Sequence, residues 1–207
     1  MTPSLVLASA SVRRRELLEA AGFLPLVVVP NIDDGRLRVR IDEAGKDCCA
    51  LAWFKVAQVL RQRARLTREA PHARIILAAD TVCVLGDQVL GKPSDAAVAR
   101  RMIEGALGRT QRVVTGVAIF CMASGRRFMS SDVARVRFGD VPEELIDAHI
   151  AAGAWQGRAG GYHIDEILLA GWQMECEGDP STIAGLPLRM VLPVLRRLLG
   201  AGGAINT

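Results

Sequence analysis

Three consecutive arginines, Arg13, Arg14 and Arg15, follow the serines Ser9 and Ser11 where helical spacing begins. A helix macrodipole favours carboxylates in its first turn, so this run of cations works against the helix's own stability. Free N–H groups, serine hydroxyls and guanidinium forks at one helix N-terminus make an anion site, phosphate above all. Asp80 follows a wholly apolar run and reads as the end of a buried strand, where an α/β protein keeps reacting groups. A carboxylate there serves as a general base or a magnesium ligand. Asp33 and Asp34 form a second acidic spot after a short strand. Against 23 arginines the chain has three lysines, Lys46, Lys55 and Lys92, so each lysine has to be located. Lys55 lies between Phe54 and Val56 in a helical stretch, where its ammonium either snorkels out or enters a cleft. Lys92 follows Gly91 and precedes a helix start. Cations at Arg13, Arg14, Lys55 and Lys92 with acids at Asp34 and Asp80 are what a magnesium–polyphosphate site requires. The cations neutralise phosphate oxygens, and the carboxylates hold metal and activate water.

These groups need a scaffold. Periodicity predicts a strand over 4–8, a helix over 12–21 ended by Gly22, a strand over 25–29 and a long helix over 42–66. An apolar strand over 74–79 then stops at Asp80, and a hairpin of 82–85 and 88–90 turns at Gly86 and Asp87. Ser94 reads as the N-cap of a helix with Ala99, Met102, Ile103 and Ala106 on one face, stopped by Gly108. Two long strands, 111–122 and 127–138, meet at Ser124 and Gly125. Asp140 and Glu143 have capping-box spacing before a helix over 142–152. A Gly-rich segment, 153–162, leads into further strand, and a last helix covers 187–199. Alternating helices and strands with hairpins predict an α/β fold, a mixed twisted sheet with flanking helices. At this length one domain over 1–207 is expected, with the Gly-rich turn facing a cleft between two lobes.

Composition removes several function classes. Half the residues are apolar and 23% are charged, so the chain is globular rather than disordered. A net charge of +4 is too small for a nucleic-acid coat, and 4% aromatic residues leave few stacking platforms for single strands. No nucleic-acid partner is expected. No apolar run approaches the roughly 18 residues of a membrane span, so no membrane partner is expected either. The N-terminus puts apolar residues before charges, the reverse of a signal peptide. Five cysteines without a CxxC and three scattered histidines assemble no structural zinc site. They read as small hydrophobes in a reducing cytoplasm. The run from Gly86 to Pro93 is one residue away from a P-loop, but Pro93 stands where the magnesium-binding hydroxyl belongs. With a hairpin before it, a Walker NTPase is excluded.

The stretch Leu7-Ala-Ser-Ala-Ser-Val-Arg-Arg-Arg-Glu-Leu-Leu18 resembles the opening signature of the Maf family of nucleoside triphosphate pyrophosphatases. The resemblance continues in order through Leu51-Ala-x-x-Lys55, Ala79-Asp-Thr-Val82, Leu90-Gly-Lys-Pro93, Val114-Thr-Gly-Val117, Ala159-Gly-Gly-Tyr162 and Gly185-Leu-Pro-Leu188. It implies an elongated, two-lobed Maf/ITPase-like architecture around a central cleft, often a homodimer. It also implies cytoplasmic hydrolysis of nucleoside triphosphates to monophosphate and pyrophosphate with a divalent cation, Mg2+ or Mn2+. Carried over, Asp80 is the proton acceptor, Asp34 and Asp80 hold metal, and Ser9, Arg13, Arg14, Lys55 and Lys92 bind phosphate, with the Ser11 hydroxyl beside them expected to orient the phosphate chain. Thr81 and Asp165 contact the base. Departures from the pattern bear on substrate. Val12 replaces the usual Pro, Asp34 a Glu, Asp165 a Gln and Glu166 a Gly. An ionised Asp only accepts hydrogen bonds and suits a donor-rich base edge such as guanine, whereas a Gln amide suits uracil or thymine. Arg13 and Thr81 match the dTTP/UTP branch, while Asp165 and the segment Asp179-Pro-Ser-Thr182 lean toward 7-methyl-GTP. Glu166 adds bulk and charge near the cleft. A nucleotide-binding regulator of cell division with little turnover is the competing expectation.

Overall fold

The computed structural model describes residues 4–31 and 39–200. Seven strands form one mixed sheet: β1 (Leu5–Leu7), β2 (Leu26–Val27), β3 (Ile75–Leu85), β4 (Gln88–Leu90), β5 (Thr110–Cys121), β6 (Arg127–Phe138) and β7 (Met174–Glu177). The helices are α1 (Val12–Ala20), α2 (Ala44–Arg61), α3 (Arg63–Glu69), α4 (Ala96–Glu104), α5 (Glu143–Ala151), α6 (Ile164–Leu169), α7 (Pro180–Ile183) and α8 (Leu188–Leu199). The strand order is β2-β1-β3-β5-β6-β7, with β4 added to β3. β1 is parallel to β2 and β3, and all other pairs are antiparallel. The expected mixed α/β sheet with flanking helices is what the chain forms.

The register opens a gap. β5 pairs with β3 along its whole length, from Ile75 to Leu85. The other edge of β3 is shared: β1 takes Ile75 to Leu77, and β4 takes Cys83 to Leu85. Residues 78–82 of β3 are left without a strand neighbour on that side. The chain leaves β1 into this gap from one end and leaves β4 into it from the other.

Alternation along β3 and β5 sends side chains to two unlike faces. On one face Ile76, Ala78 and Ala118 pack under Ala52, Val56 and Val59 of α2. Gly116 makes this approach possible, because a Cβ there would lie 2.3 Å from the Cys49 amide nitrogen. The opposite face carries two apolar clusters. Leu77, Ala79, Val117 and Ile119 meet Leu195 and Leu199 of α8. Further along, Cys83, Val113, Val136 and Phe138 meet Ile103, Ile146 and Ile167 of α4, α5 and α6. Between the two clusters runs one polar row, Thr81, Thr115 and Asp132, directly opposite one another on β3, β5 and β6.

Several expected boundaries move. The apolar strand does not stop at Asp80 but runs on through it, since Thr81, Val82, Cys83 and Val84 are themselves strand formers. What changes at Asp80 is the neighbouring strand. The second strand shortens to Leu26–Val27. The long helix breaks at Gln62, where apolar spacing lapses between Leu60 and Leu66. Asp95, not Ser94, caps α4: its side chain accepts from the Val98 amide at 2.8 Å, and Ser94 donates to it. Pro142 precedes α5 with no side-chain cap, so the capping-box spacing is not used. The segment after Tyr162 is helix α6 rather than strand, with Asp165 and Glu166 in the first turn, where the dipole favours them. The four-residue α7 was not anticipated.

Candidate active site

Asp80 sits in the middle of the gap on β3 and points to the α2 face. There the Lys55 ammonium donates to Asp80 Oδ1 at 2.5 Å, with each residue 8% exposed. Lys55 is delivered by the buried stripe of α2, alongside Leu51, Ala52 and Val56. Its ammonium therefore enters the fold instead of snorkelling out. The Asp80 side chain makes no other hydrogen bond among the described residues, so its second oxygen is uncommitted. A carboxylate so placed can orient and deprotonate a water. Cys48 lies close by, donating to the Val114 carbonyl at 3.8 Å. Burial, and then the negative charge of Asp80, push its thiol up to about 12, which removes it as a nucleophile.

Above the same gap, β1 runs into the N-terminus of α1. Ser11 is the N-cap, its side chain accepting from the Arg14 amide at 3.3 Å, and its own amide donates to Ser9 Oγ at 3.1 Å. The first amides of α1, those of Val12 and Arg13, take no hydrogen bond among the described residues. The Arg14 side chain does not hang in solvent. Its Nε donates to the Gly185 carbonyl at 2.8 Å, Nη1 to Ser9 Oγ at 3.2 Å, and Nη2 to Thr81 Oγ1 at 3.1 Å. The structure thus joins Ser9, Ser11, Arg14 and Thr81 in one cluster, and Lys55 with Asp80 in a second.

Other expected residues stand differently. Arg13 turns away from Arg14 and pairs with Asp165 of α6, with Glu16 a further 3.5 Å neighbour. Asp165 is therefore not a free acceptor here. Glu166 is engaged by Arg158, whose hydrogen bonds hold its carboxyl below the usual range, so its charge is compensated at the surface. Lys92 is exposed on the loop leaving β4, beside Gly91, whose carbonyl accepts from the Gly160 amide at 3.0 Å. Lys92 makes no hydrogen bond or ion pair among the described residues, so its ammonium stays available to a ligand. Asp34, like Asp33, lies outside the described residues. Asp179 caps α7, accepting from the Ser181 amide at 3.0 Å and from the Arg189 amide at 3.0 Å, which is a structural task.

No group of three metal-ligating side chains occurs among the described residues. Among the described residues the donor set at the gap is one uncommitted carboxylate oxygen, that of Asp80. This fits a magnesium-type cation held by one or two carboxylates with the rest of its shell from phosphate and water, and not an all-protein cage.

Sequence reading includes Thr115 and Thr182 in matched segments but gives neither a role of its own, and both are fully buried. A threonine in a strand is ordinary, and only the pairing of Thr115 with Thr81 across β3 and β5 gives it a role. The marker that was present is polarity itself, since Thr115 interrupts an otherwise apolar run.

No helix among the described residues is long and apolar enough to cross a membrane. Comparison with known proteins agrees with the geometry in extent as well as in motif. A nucleoside triphosphate pyrophosphatase of Mycobacterium sp. (strain JLS) is 33% identical over 205 residues, 96% of this chain and 95% of that protein. A dTTP/UTP pyrophosphatase of Anaeromyxobacter dehalogenans is 40% identical over 202 residues, 95% of each chain. One of Pyrococcus furiosus, also named dTTP/UTP pyrophosphatase, is 32% identical over 196 residues, 92% of this chain and 93% of that protein. The family model described as Maf-like protein matches residues 4–198, from the first strand through the last helix, and the chain belongs to that family.

Proposed function

We propose that this chain is a hydrolase that cleaves nucleoside triphosphates between the α and β phosphates, releasing monophosphate and pyrophosphate. The observation that carries this reading is the buried Lys55–Asp80 pair in the gap on β3, beneath the N-terminus of α1. Asp80 takes the proton of the attacking water. Lys55 and Arg14, with Lys92 from the far side of the gap, stabilise charge developing on the bridging oxygen and the pyrophosphate. The amides of Val12 and Arg13 and the hydroxyls of Ser9 and Ser11 orient the phosphate chain. A divalent cation brought with the nucleotide would be held by Asp80 as the alternative to proton transfer there, and would neutralise phosphate charge and activate the water. Asp34, in the second acidic stretch of the sequence, is the other carboxylate proposed to hold it. The names of the relatives support nucleotide hydrolysis as the reaction class.

A pyrimidine triphosphate, dTTP or UTP, is the favoured substrate. Two of the relatives reported above carry that name. The features that lean toward 7-methyl-GTP are engaged elsewhere: Asp165 by Arg13, and Asp179 by α7. The nucleotide pool of the cytoplasm is the setting this implies, with one domain closing as two lobes around the gap.

The test is incubation with magnesium or manganese and a panel of dTTP, UTP, CTP, GTP and 7-methyl-GTP, separating pyrophosphate from orthophosphate. Pyrophosphate from the pyrimidine nucleotides is expected, with Asp80→Asn slower by roughly 10²–10⁴-fold if it acts as general base. Orthophosphate as the product, or full turnover in Asp80→Asn, overturns the assignment. Binding of the nucleotides without turnover would move the chain to a nucleotide-binding regulator.

A further inference from the structure

The hydrogen bonds on the α7 face fix their own direction. The Thr182 carbonyl oxygen can only accept, so Thr115, 2.9 Å away, donates its single hydroxyl proton to it. Thr115 Oγ1 is also 2.8 Å from Thr81 Oγ1, and with its proton spent it must accept there. Thr81 therefore donates inward, to Thr115, while it accepts from Arg14 Nη2 at 3.1 Å. Thr182 is in turn fixed by its own hydroxyl, which donates to Asp132 on β6. Thr81, Thr115 and Asp132 are register partners on three adjacent strands, so the whole row rests on the sheet. On the solvent side, Gly185 closes over the same contact: a Cβ there would lie 3.2 Å from both Thr81 Oγ1 and Arg14 Nε.

We infer that Thr81, Thr115 and Thr182 form a positioning chain for Arg14, and that Thr81 does not read the base. Its one proton is committed to the protein interior, and one lone pair holds the guanidinium. A base edge that needs a donor finds none at Thr81. Among the described residues Arg14 makes oriented bonds to Gly185, Ser9 and Thr81, which aim it at the gap as a pre-set phosphate contact. The inference rests on the triphosphate reading above for the identity of the anion, and extends it to two buried residues, Thr115 and Thr182, that touch no substrate.

The experiment compares Thr115→Val, Thr115→Ser, Thr81→Val and Thr81→Ser with the unaltered protein. UTP and GTP are the substrates, and inorganic triphosphate is the base-free competitor. Both Val variants are expected to lower kcat/KM for the two nucleotides by the same factor, roughly tenfold for a lost bond to a charged group. Inhibition by inorganic triphosphate weakens in parallel, and the Ser variants restore both. The UTP-to-GTP preference stays constant throughout. A changed preference in Thr81→Val with Thr115→Val unaffected makes Thr81 a base reader and overturns the inference. So does a Thr115→Val protein equal to the parent in both readouts. If Thr115→Val does not fold, Thr81→Val and Thr81→Ser at the partly exposed end carry the same comparison. If the unaltered protein hydrolyses no triphosphate, the earlier reading fails, while calorimetric binding of inorganic triphosphate to the same variants still decides this one.

Discussion

Asp80 and Thr81 are neighbours in the chain, yet the strand pleat sends them to opposite faces, and the two faces are built from different chemistry. On the α2 side the Asp80 carboxylate meets the Lys55 ammonium in an apolar setting, and among the described residues the carboxylate keeps an oxygen uncommitted. On the α7 side the hydroxyls of Thr81, Thr115 and Thr182 are saturated as donors, to a threonine, a carbonyl and a carboxylate, and Thr81 also accepts from a guanidinium. The first arrangement has spare bonding capacity at a charged atom, which is what a reacting group needs. The second has little left over, which is what a support needs. Reactivity and rigidity are thus separated by a single step along β3.

If that division is right, the largest effect belongs to the uncommitted oxygen. Asp80→Asn, already set out as the control in the turnover assay, should lose roughly 10²–10⁴-fold in rate while leaving Arg14 and its threonines in place. Removing the carboxylate also takes the Asp80 charge away from Lys55, and breaking one partner of a buried pair costs about 3–5 kcal/mol in the general case. Thermal unfolding must therefore accompany the kinetics. A large rate loss in a protein that is still folded at assay temperature assigns the effect to chemistry.

Next in size is Gly116→Ala, which attacks the α2 face from beneath. The added Cβ would lie 2.3 Å from the Cys49 nitrogen and 2.4 Å from the Cys48 carbonyl carbon, both backbone atoms of α2, so the helix must lift. Overpacking of this kind costs about 1–3 kcal/mol. Because Lys55 rides on the same helix, denaturant midpoint and kcat should fall together. A stable variant with normal kcat would show that α2 can shift without moving Lys55, and the two faces would not be independent rigid supports.

These sites were unequally legible in the sequence. Lys55 stood out because a rare lysine interrupts an apolar helical stripe, and Asp80 because a carboxylate follows an apolar strand. The boundary drawn at Asp80 was wrong: the strand continues through it, and the discontinuity is in its neighbours, β1 and β4. Register between distant segments is not written in local periodicity, so the gap itself could not be foreseen. For the same reason the part played by Thr115 and Thr182 went unnoticed. The alternation that predicted β5 and β6 succeeded because both strands are long and bounded by a clear turn. The segment 159–169 misled because a run as short as Ile164–Leu169 fits either period, and charge at its start decided for helix.

A smaller effect, and one with a pH signature, tests how the saturated face is anchored. Asp179 holds the start of α7, the helix that presents the Thr182 carbonyl. Burial pushes its carboxyl up, but hydrogen bonds from the Ser181 hydroxyl and from the Arg189 and Ser181 amides outweigh this and hold it below its ordinary 3.8. A depressed folded-state value means the stabilisation is complete above the ordinary value and is lost as pH falls through the lower one. Asp179→Ala should therefore cost about 1 kcal/mol near neutral pH, the usual loss for an N-cap. In denaturant titrations, the difference from the parent should shrink below about pH 4. A difference that is constant across that range would mean the carboxylate charge is not what anchors α7.

The smallest expected effect separates two adjacent arginines. Among the described residues Arg14 donates to neutral oxygens inside the fold, whereas Arg13 reaches across to Asp165 in a pair whose side chains are 33% and 42% exposed. Exposed pairs are worth about 0.2–1 kcal/mol, so Asp165→Asn should leave the unfolding midpoint nearly unchanged. The same coupling is lost by any anion that recruits Arg13 in competition with Asp165. Its removal should therefore tighten nucleotide binding by about 1.4–5-fold, seen as a lower KM at constant kcat. High salt, which screens the exposed pair, should shrink that advantage. Glu16→Gln, which also removes a carboxylate near Arg13, but at 3.5 Å, separates the two explanations. If it lowers KM as much as Asp165→Asn does, the gain is a general loss of negative charge. If only Asp165→Asn does so, the Arg13–Asp165 contact is one that the incoming phosphate has to break, and Arg13 is the movable arginine of the pair.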